Sequence, residues 1–431
     1  MSETTPLEPT AGHPERRPAA LGFVYAAILM NVLSMGVIIP VFPPLVKSLA
    51  HVGDAGAAQI TGVFGAAWAL MQLIFAPIFG NLSDRFGRRP VLLVAMFGLA
   101  FDYLVMALAP SIAWLFVGRL IAGMTSASSS AAGAYVADVS TPDNRARNFG
   151  RFQAAANAGI LIGPLLGGLG FSLFHNDPRA PFWIAAGLAL MNGLYGVFFL
   201  PESLVHERRA PFRWKRANPI GAAQLLITTP GLLGMAGILF LAQFAGYSFN
   251  SVFQFYTHFR FGWGPPQIMI LLMVLSGGGI LMQSFVAGWV VGWLGERRSV
   301  IAGMALSVFG FAGLGLASTL PFFWAAVGIL VLGGLSFPSL ISLLTQRVGV
   351  DQQGQLQGAL QILFASGGLV APLAFTNIFA WSIGTGRGLG LPGLSLLVGS
   401  GLVVVALTFA YLFARPVPTL GPPTLLTGEG T

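Results

Sequence analysis

The chain has 431 residues, of which 55% are apolar and 12% aromatic but only 8% charged, against roughly a quarter charged in an ordinary soluble protein. The 22 Lys and Arg and 14 Asp and Glu cannot clothe a soluble surface of this size, and the apolar excess also excludes disorder. The apolar residues come in long blocks, so the solvent is lipid, and the absence of cysteine excludes disulfides and thiolate metal sites.

In chain order, residues 1–20 form a polar, Pro-rich tail with Arg16 and Arg17 near its end. No small-residue cleavage site follows a short apolar stretch, so the first block is expected to stay as a helix rather than leave as a signal peptide. Twelve blocks follow, at 21–42, 57–79, 90–109, 112–137, 150–173, 180–200, 230–253, 266–291, 299–317, 321–344, 354–381 and 389–414. Each is near the roughly 20 residues that one crossing needs. They predict an all-α membrane protein with twelve transmembrane helices. A charged stretch at 201–219, with Arg208, Arg209, Arg213, Lys215 and Arg216, reads as a linker. It separates an N-terminal half at 21–200 from a C-terminal half at 220–414, and 415–431 is a second tail.

The positive charges set an orientation. If the N-terminus is cytoplasmic, cytoplasmic segments hold 17 of the 22 Lys and Arg, the opposite side holds four, and Arg119 lies inside a span. That bias predicts cytoplasmic ends and linker. The net charge of +8 is therefore a topology signal and not a nucleic-acid footprint.

An offset of 208 residues superposes Gly80 on Gly288, Gly87 on Gly295, Arg89 on Arg297, Asp143 on Asp351, Gly150 on Gly358, Gln153 on Gln361, Gly159 on Gly367 and Pro164 on Pro372. Identities at one offset and at matching places predict duplicated six-helix halves. Parallel halves around a central site are a transporter architecture.

The loop after the second block reads Gly80-Asn-Leu-Ser-Asp84-Arg85-Phe-Gly87-Arg88-Arg89. Gly80 and Gly87 allow close approach and a tight turn. Asp84 and Arg88 stand four apart, the spacing of a pair on one helical turn, whereas Arg85 and Arg89 also fit a plain basic loop. In the fifth block, Gly159, Gly163 and Gly167 recur every four residues beside Pro164 and Gly168, making a smooth face for another helix and a local bend. Asp102 and Arg119 lie inside the third and fourth blocks, about 10 Å from the nearer ends. Burying either costs roughly 3 kcal/mol or more unless it is paired or hydrated. Asp102 could carry a proton modulated by Arg119, or the two could be a satisfied structural pair. Asn31, Gln72, Asn157, Gln243, Asn250, Gln254 and Gln361 could line a cavity or glue helices together. All five His fall in tails or loops, so no metal site is expected, and no Gly-rich phosphate loop with Lys argues for an ATP-driven pump.

The Gly80–Arg89 loop resembles the signature loop of the major facilitator superfamily. Gly159-x-x-x-Gly163-Pro164-x-x-Gly167-Gly168 resembles the fifth-helix motif of its drug-exporting antiporters. Gly36-Val-Ile-Ile-Pro40, Phe101-Asp102-Tyr103, Arg119-Leu-Ile-Ala-Gly123 and Ala137-Asp138 are similar to stretches of the bacterial tetracycline/proton antiporters. The resemblance implies the major facilitator fold and export of an amphipathic small molecule against protons, by a monomer in the bacterial inner membrane, with no cofactor and no enzymatic step. It implies a cytoplasmic gate of Gly80, Asp84, Arg85, Gly87, Arg88 and Asp138, with Asp84 near the start of the eleventh helix around Gly354. It also implies a hinge and seal at Gly159, Gly163, Pro164, Gly167 and Gly168. Where those antiporters carry an acid, an acid and a His, this chain has Asn31, Ser307 and Gly279. Only Asp102 remains, which leaves open a facilitator without proton coupling and a non-transporting scaffold. In the second copy of the loop, Gly292 and Glu296 replace the Asp and Arg, so a weaker latch is expected there.

Overall fold

A computed structural model describes residues 17–204, 209, 226, 228–229, 231–349 and 352–413. The two tails beyond them and most of the 201–219 linker lie outside the described residues. Among the described residues, twelve helices are long and apolar enough to cross a membrane, and no strand occurs. In order they are Leu21–Ala50, Asp54–Phe86, Arg88–Leu108, Ile112–Asp138, Asp143–Leu173 and Ala180–Phe199, then Leu232–Phe261, Pro265–Leu294, Glu296–Leu316, Leu320–Thr345, Gln355–Ile383 and Leu394–Phe413. They are called the first to twelfth spans.

Each apolar block falls on one span, but several spans overrun their blocks. The helical hydrogen-bond ladder is indifferent to side-chain polarity, so a helix ends where its backbone turns. The seventh span shows this. It continues through Gln254, Thr257, His258 and Arg260 until Gly262, at φ +69°, turns the chain out of the helix. His258 is thus in a helix, not in a loop as its polarity suggests. Gly87, at φ +106°, and Gly295, at φ +78°, break the chain between the second and third spans and between the eighth and ninth. The two glycines are repeat partners, and the left-handed backbone they share suits a residue without a Cβ. The eighth span also contains a π-helical stretch, Met282–Val286.

The chain forms two compact units. One is built on Met1–Leu45, Met71–Ala217 and Pro265–Met273, the other on Val46–Leu70, Asn218–Gly264 and Val274–Thr431. These units cut across the repeat halves because the first, second and eighth spans are each divided between them. The part of the second span that holds Gly62 and Gly65 lies on Pro372 and Thr376 of the eleventh span, in the second unit. Met269 of the eighth span lies on Gly168 of the fifth, in the first unit.

In the first unit, the first and fifth spans make the most extensive helix pair. The glycine stripe is the reason. A Cβ at Gly163 would sit 2.7 Å from the Gly36 Cα, and one at Gly159 would sit 2.9 Å from the Leu29 carbonyl oxygen. At Gly167 it would sit 2.0 Å from the Val37 carbonyl oxygen. The backbones touch, so nothing can yield. Gly167→Ala is expected to cost about 1–3 kcal/mol of overpacking, read as a lower midpoint for loss of monodisperse protein on heating. Gly187→Ala, where an added Cβ meets nothing within 4 Å, is expected to leave that midpoint unchanged.

Candidate functional site

The loop between the second and third spans is knit around one guanidinium. Arg88, only 9% exposed, donates from Nη1 to Asp84 Oδ1 and to Ser83 Oγ, both at 2.6 Å. Its Nε donates to Asp138 Oδ2, at the end of the fourth span, at 3.1 Å. A fork that reaches three acceptors in two directions is what guanidinium offers and ammonium does not. The expected pairs of Arg88 with Asp84 and Asp138 are therefore formed.

Two further members stand in the same cluster. Glu202, just past the sixth span, accepts through Oε1 from the Arg88 backbone N–H at 2.8 Å and through Oε2 from the Arg89 N–H at 3.2 Å. It caps the third span with an anion, where free N–H groups and the helix dipole favour one. Ser203 donates to Asp138 Oδ2 at 3.2 Å, and Tyr135 donates to the Pro201 carbonyl at 2.9 Å. A Cβ at Gly87 would come within 2.7 Å of the Glu202 carboxyl carbon, which gives that glycine a second reason besides its φ.

Of two other residues grouped with this cluster from the sequence, one lies away from it and one touches only its edge. Arg85 is exposed and lies over the Phe86 ring, 5.1 Å from its centroid. Gly80 sits within the second span and joins the cluster only through its carbonyl, which accepts from Ser83 Oγ at 2.8 Å, and no neighbouring helix lies within 4 Å of where its Cβ would be.

In the second copy of the loop an acid stands at the Arg88 position, and its partners are neutral. Glu296 Oε1 accepts from Ser342 Oγ at 2.5 Å, and both its oxygens accept from Gln346 Nε2 at 2.9 Å. Glu296 is the repeat partner of Arg88 and Gln346 that of Asp138. The ion pair has become an anion held by an amide and a hydroxyl at the same place in the fold, and hydrogen bonds to a charged group are the stronger kind.

Asp102 is fully buried in the third span, and Arg119 Nη2 lies 3.7 Å from its Oδ2. Neither Asp102 oxygen has a hydrogen-bond partner among the described residues. Arg119 Nη2 instead contacts Met106 Sδ at 3.0 Å, and its guanidinium lies 5.1 Å from the Phe42 ring centroid. Gly118 makes the room, since a Cβ there would be 2.9 Å from Asp102 Oδ1. The pair is close enough for strong attraction in a dry site, yet either oxygen can take up a proton without breaking a hydrogen bond.

Asn31 lines a cavity in the first unit, between the first, third and fourth spans, and Gln243 lines one in the second unit. Gln72, Asn157, Asn250, Gln254 and Gln361 line neither cavity. Asn157 accepts from Gln153 at 3.2 Å, whereas Asn250 and Gln361 are exposed. Within the second unit, Asp54 at the start of the second span pairs with Lys47 and lies 3.0 Å from His258 Nδ1. Nearby in sequence, Gln59 donates to Asn377 of the eleventh span at 2.9 Å.

The description of the Major Facilitator Superfamily matches residues 24–372. The chain belongs to the major facilitator superfamily. The tetracycline resistance protein of class C from Escherichia coli is 36% identical over 90% of this chain and 95% of its own length. The class G protein from Vibrio anguillarum is 34% identical, over 83% of this chain and 90% of its own length. Among solved structures, a bacterial homologue of the human lysosomal transporter Spinster has a TM-score of 0.72 at 17% identity, covering 94% of this chain and 98% of that one. This facilitator is a multi-pass membrane transporter and not an enzyme.

Within the facilitator fold, sequence reading missed residues whose signal is only spatial. Glu202 and Ser203 stand where composition says linker, and Ser83 and Ser342 are small polar residues like many others. Only the repeat offset could have pointed to Gln346, by carrying Asp138 onto it. Of the positions that lack the antiporters' ionisable groups, Ser307 donates to the Gly303 carbonyl of its own span at 2.9 Å, and Gly279 faces open space.

Proposed function

We propose that this transporter exports an amphipathic small molecule in exchange for protons, by alternating access across the bacterial inner membrane. The observation that carries the reading is a carboxyl enclosed within a span, beside one cation and free of hydrogen bonds. The relatives named for tetracycline resistance support the export of a drug-like compound. Asp102 binds and releases the proton and Arg119 adjusts its charge state. Each charge moved through the membrane draws about 2.3 kcal/mol per 100 mV.

In this reading the chain is a monomer of two six-helix halves, with both ends and the Arg88 cluster cytoplasmic. Asp84, Arg88 and Asp138, with Glu202 on the third-span N-terminus, latch the cytoplasmic side. The stripe of Gly159, Gly163 and Gly167, with Pro164 and Gly168, is the hinge and seal. The cluster of Asp54, Lys47 and His258 then lies on the opposite side. A second reading, a facilitator without proton coupling, is favoured by the uncharged Asn31 and Ser307. A scaffold has no use for a switching latch.

The test is purified protein in liposomes containing a pH-sensitive dye, under an imposed proton gradient. Adding tetracycline with magnesium, then a panel of amphipathic drugs, is expected to start proton movement with at least one compound. Compound uptake without proton movement across the whole panel would select the uncoupled facilitator.

A further inference from the structure

The internal repeat places a cavity at the same position twice. Met96, Ser126 and Ser128 line the first-unit cavity, and their repeat partners Met304, Gly334 and Ser336 line the second-unit one. The first is about 40 Å³ and has room for little more than water, whereas the second is about 240 Å³. It lies between the seventh, ninth, tenth and twelfth spans. An apolar cavity of about 150 Å³ already accepts benzene, so this one has room for a substituted or fused ring.

Its wall says what kind of ring. Among the described residues no charged side chain lines it, and an ion there would lose hydration without a counter-charge. Leu239, Phe311 and Phe337 supply apolar surface, and Gln243 offers an amide. Ser307 and Ser336 spend their hydroxyl hydrogens on the Gly303 and Gly333 carbonyls, at 2.9 and 3.0 Å, so towards the cavity they can only accept. Gly246 also lines it, and an added Cβ there meets nothing within 4 Å.

From these observations we infer that the second-unit cavity is a binding site for an uncharged ring bearing a hydroxyl or amide N–H donor. It holds the ring portion of the exported compound, an assignment that rests on the export reading. The two serine acceptors and the amide favour such a ring over a lipid acyl chain, which has no donor to give them.

The test uses the full-length protein in vesicles of phosphatidylethanolamine and phosphatidylglycerol, photolabelled with 3-trifluoromethyl-3-phenyldiazirine and mapped by mass spectrometry. Label is expected on the segments at 242–246 and 304–311, reduced at least fivefold by 2-naphthol. Gly246→Leu is expected to reduce it at least fivefold, and Gly246→Ala by less. Gly237→Leu, on the same span but outside the cavity, is expected to stay within twofold of wild type. Label indifferent to 2-naphthol in the wild-type protein would overturn the inference even if Gly246→Leu failed to fold. Label displaced by dioleoylglycerol and not by 2-naphthol would make this an acyl-chain site and overturn it too. Drug-driven proton flux is read in the same vesicles. Flux without naphthol-sensitive label retires the cavity alone, and such label without flux retires the export reading alone.

Discussion

Asp102→Asn is expected to abolish drug-driven proton movement in liposomes, by at least a hundredfold, while the protein still binds or equilibrates its compound. Asparagine keeps the shape of the side chain and cannot take a proton. It mimics the protonated carboxyl permanently, so the cycle loses the step that the gradient drives. The same substitution strands Arg119, whose side chain is 15% exposed, beside a neutral amide. Breaking a buried pair on one side costs about 3–5 kcal/mol, so lost flux alone would confuse coupling with folding. Asp102→Asn combined with Arg119→Gln removes both charges and is expected to recover the thermal midpoint but not the proton movement. Asp102→Glu keeps a titratable group and is expected to retain part of the flux. Full coupling in Asp102→Asn would retire the proton assignment and favour the uncoupled reading.

The twelve spans could be read from the sequence because hydropathy is local and a span must satisfy its backbone internally. Their ends could not, because a helix such as Leu232–Phe261 keeps its ladder through polar residues until a glycine turns it. Of the site, the Arg88 pairs were legible through i,i+4 spacing and the motif resemblance, and Asp102 and Arg119 through the cost of charge in an apolar block. The glycine stripe announced a close helix contact but not its partner, since which span lies on it depends on packing across more than a hundred residues. Glu202 was hidden for a similar reason. A carboxylate just past a span looks like linker until the N-terminus of the third span is seen against it. Arg85 shows the converse error, because its neighbours in sequence belong to the cluster while its side chain points away to Phe86.

Arg88→Ala is expected to slow transport about a hundredfold, and Arg85→Ala to leave it within twofold. The two arginines share one short loop, so the comparison separates a built latch from a generally basic segment. Removing Arg88 leaves Asp84, Ser83 and Asp138 around a vacated fork, with two carboxylates that no longer share a cation. Asp84 and Asp138 are partly exposed, so the three hydrogen bonds to charged groups together are worth about 3 kcal/mol, and the equilibrium between latched and unlatched states moves by roughly a hundredfold. Arg88→Lys keeps the charge but offers one ammonium where three acceptors lie in two directions, so an intermediate loss of about tenfold is expected. Asp138→Asn supplies the cycle. If Arg88 acts through Asp138, the double variant should be much less impaired than the sum of the two single effects, whereas independent losses would add. Glu202→Gln removes the charge and leaves one acceptor oxygen where two now accept, so it should lower stability by about 1–3 kcal/mol and leave the Arg88–Asp138 coupling in place. Equal, additive losses from Arg85→Ala and Arg88→Ala would show that the loop works by its charge alone, and the guanidinium network would then be a consequence of packing with no part in the switch.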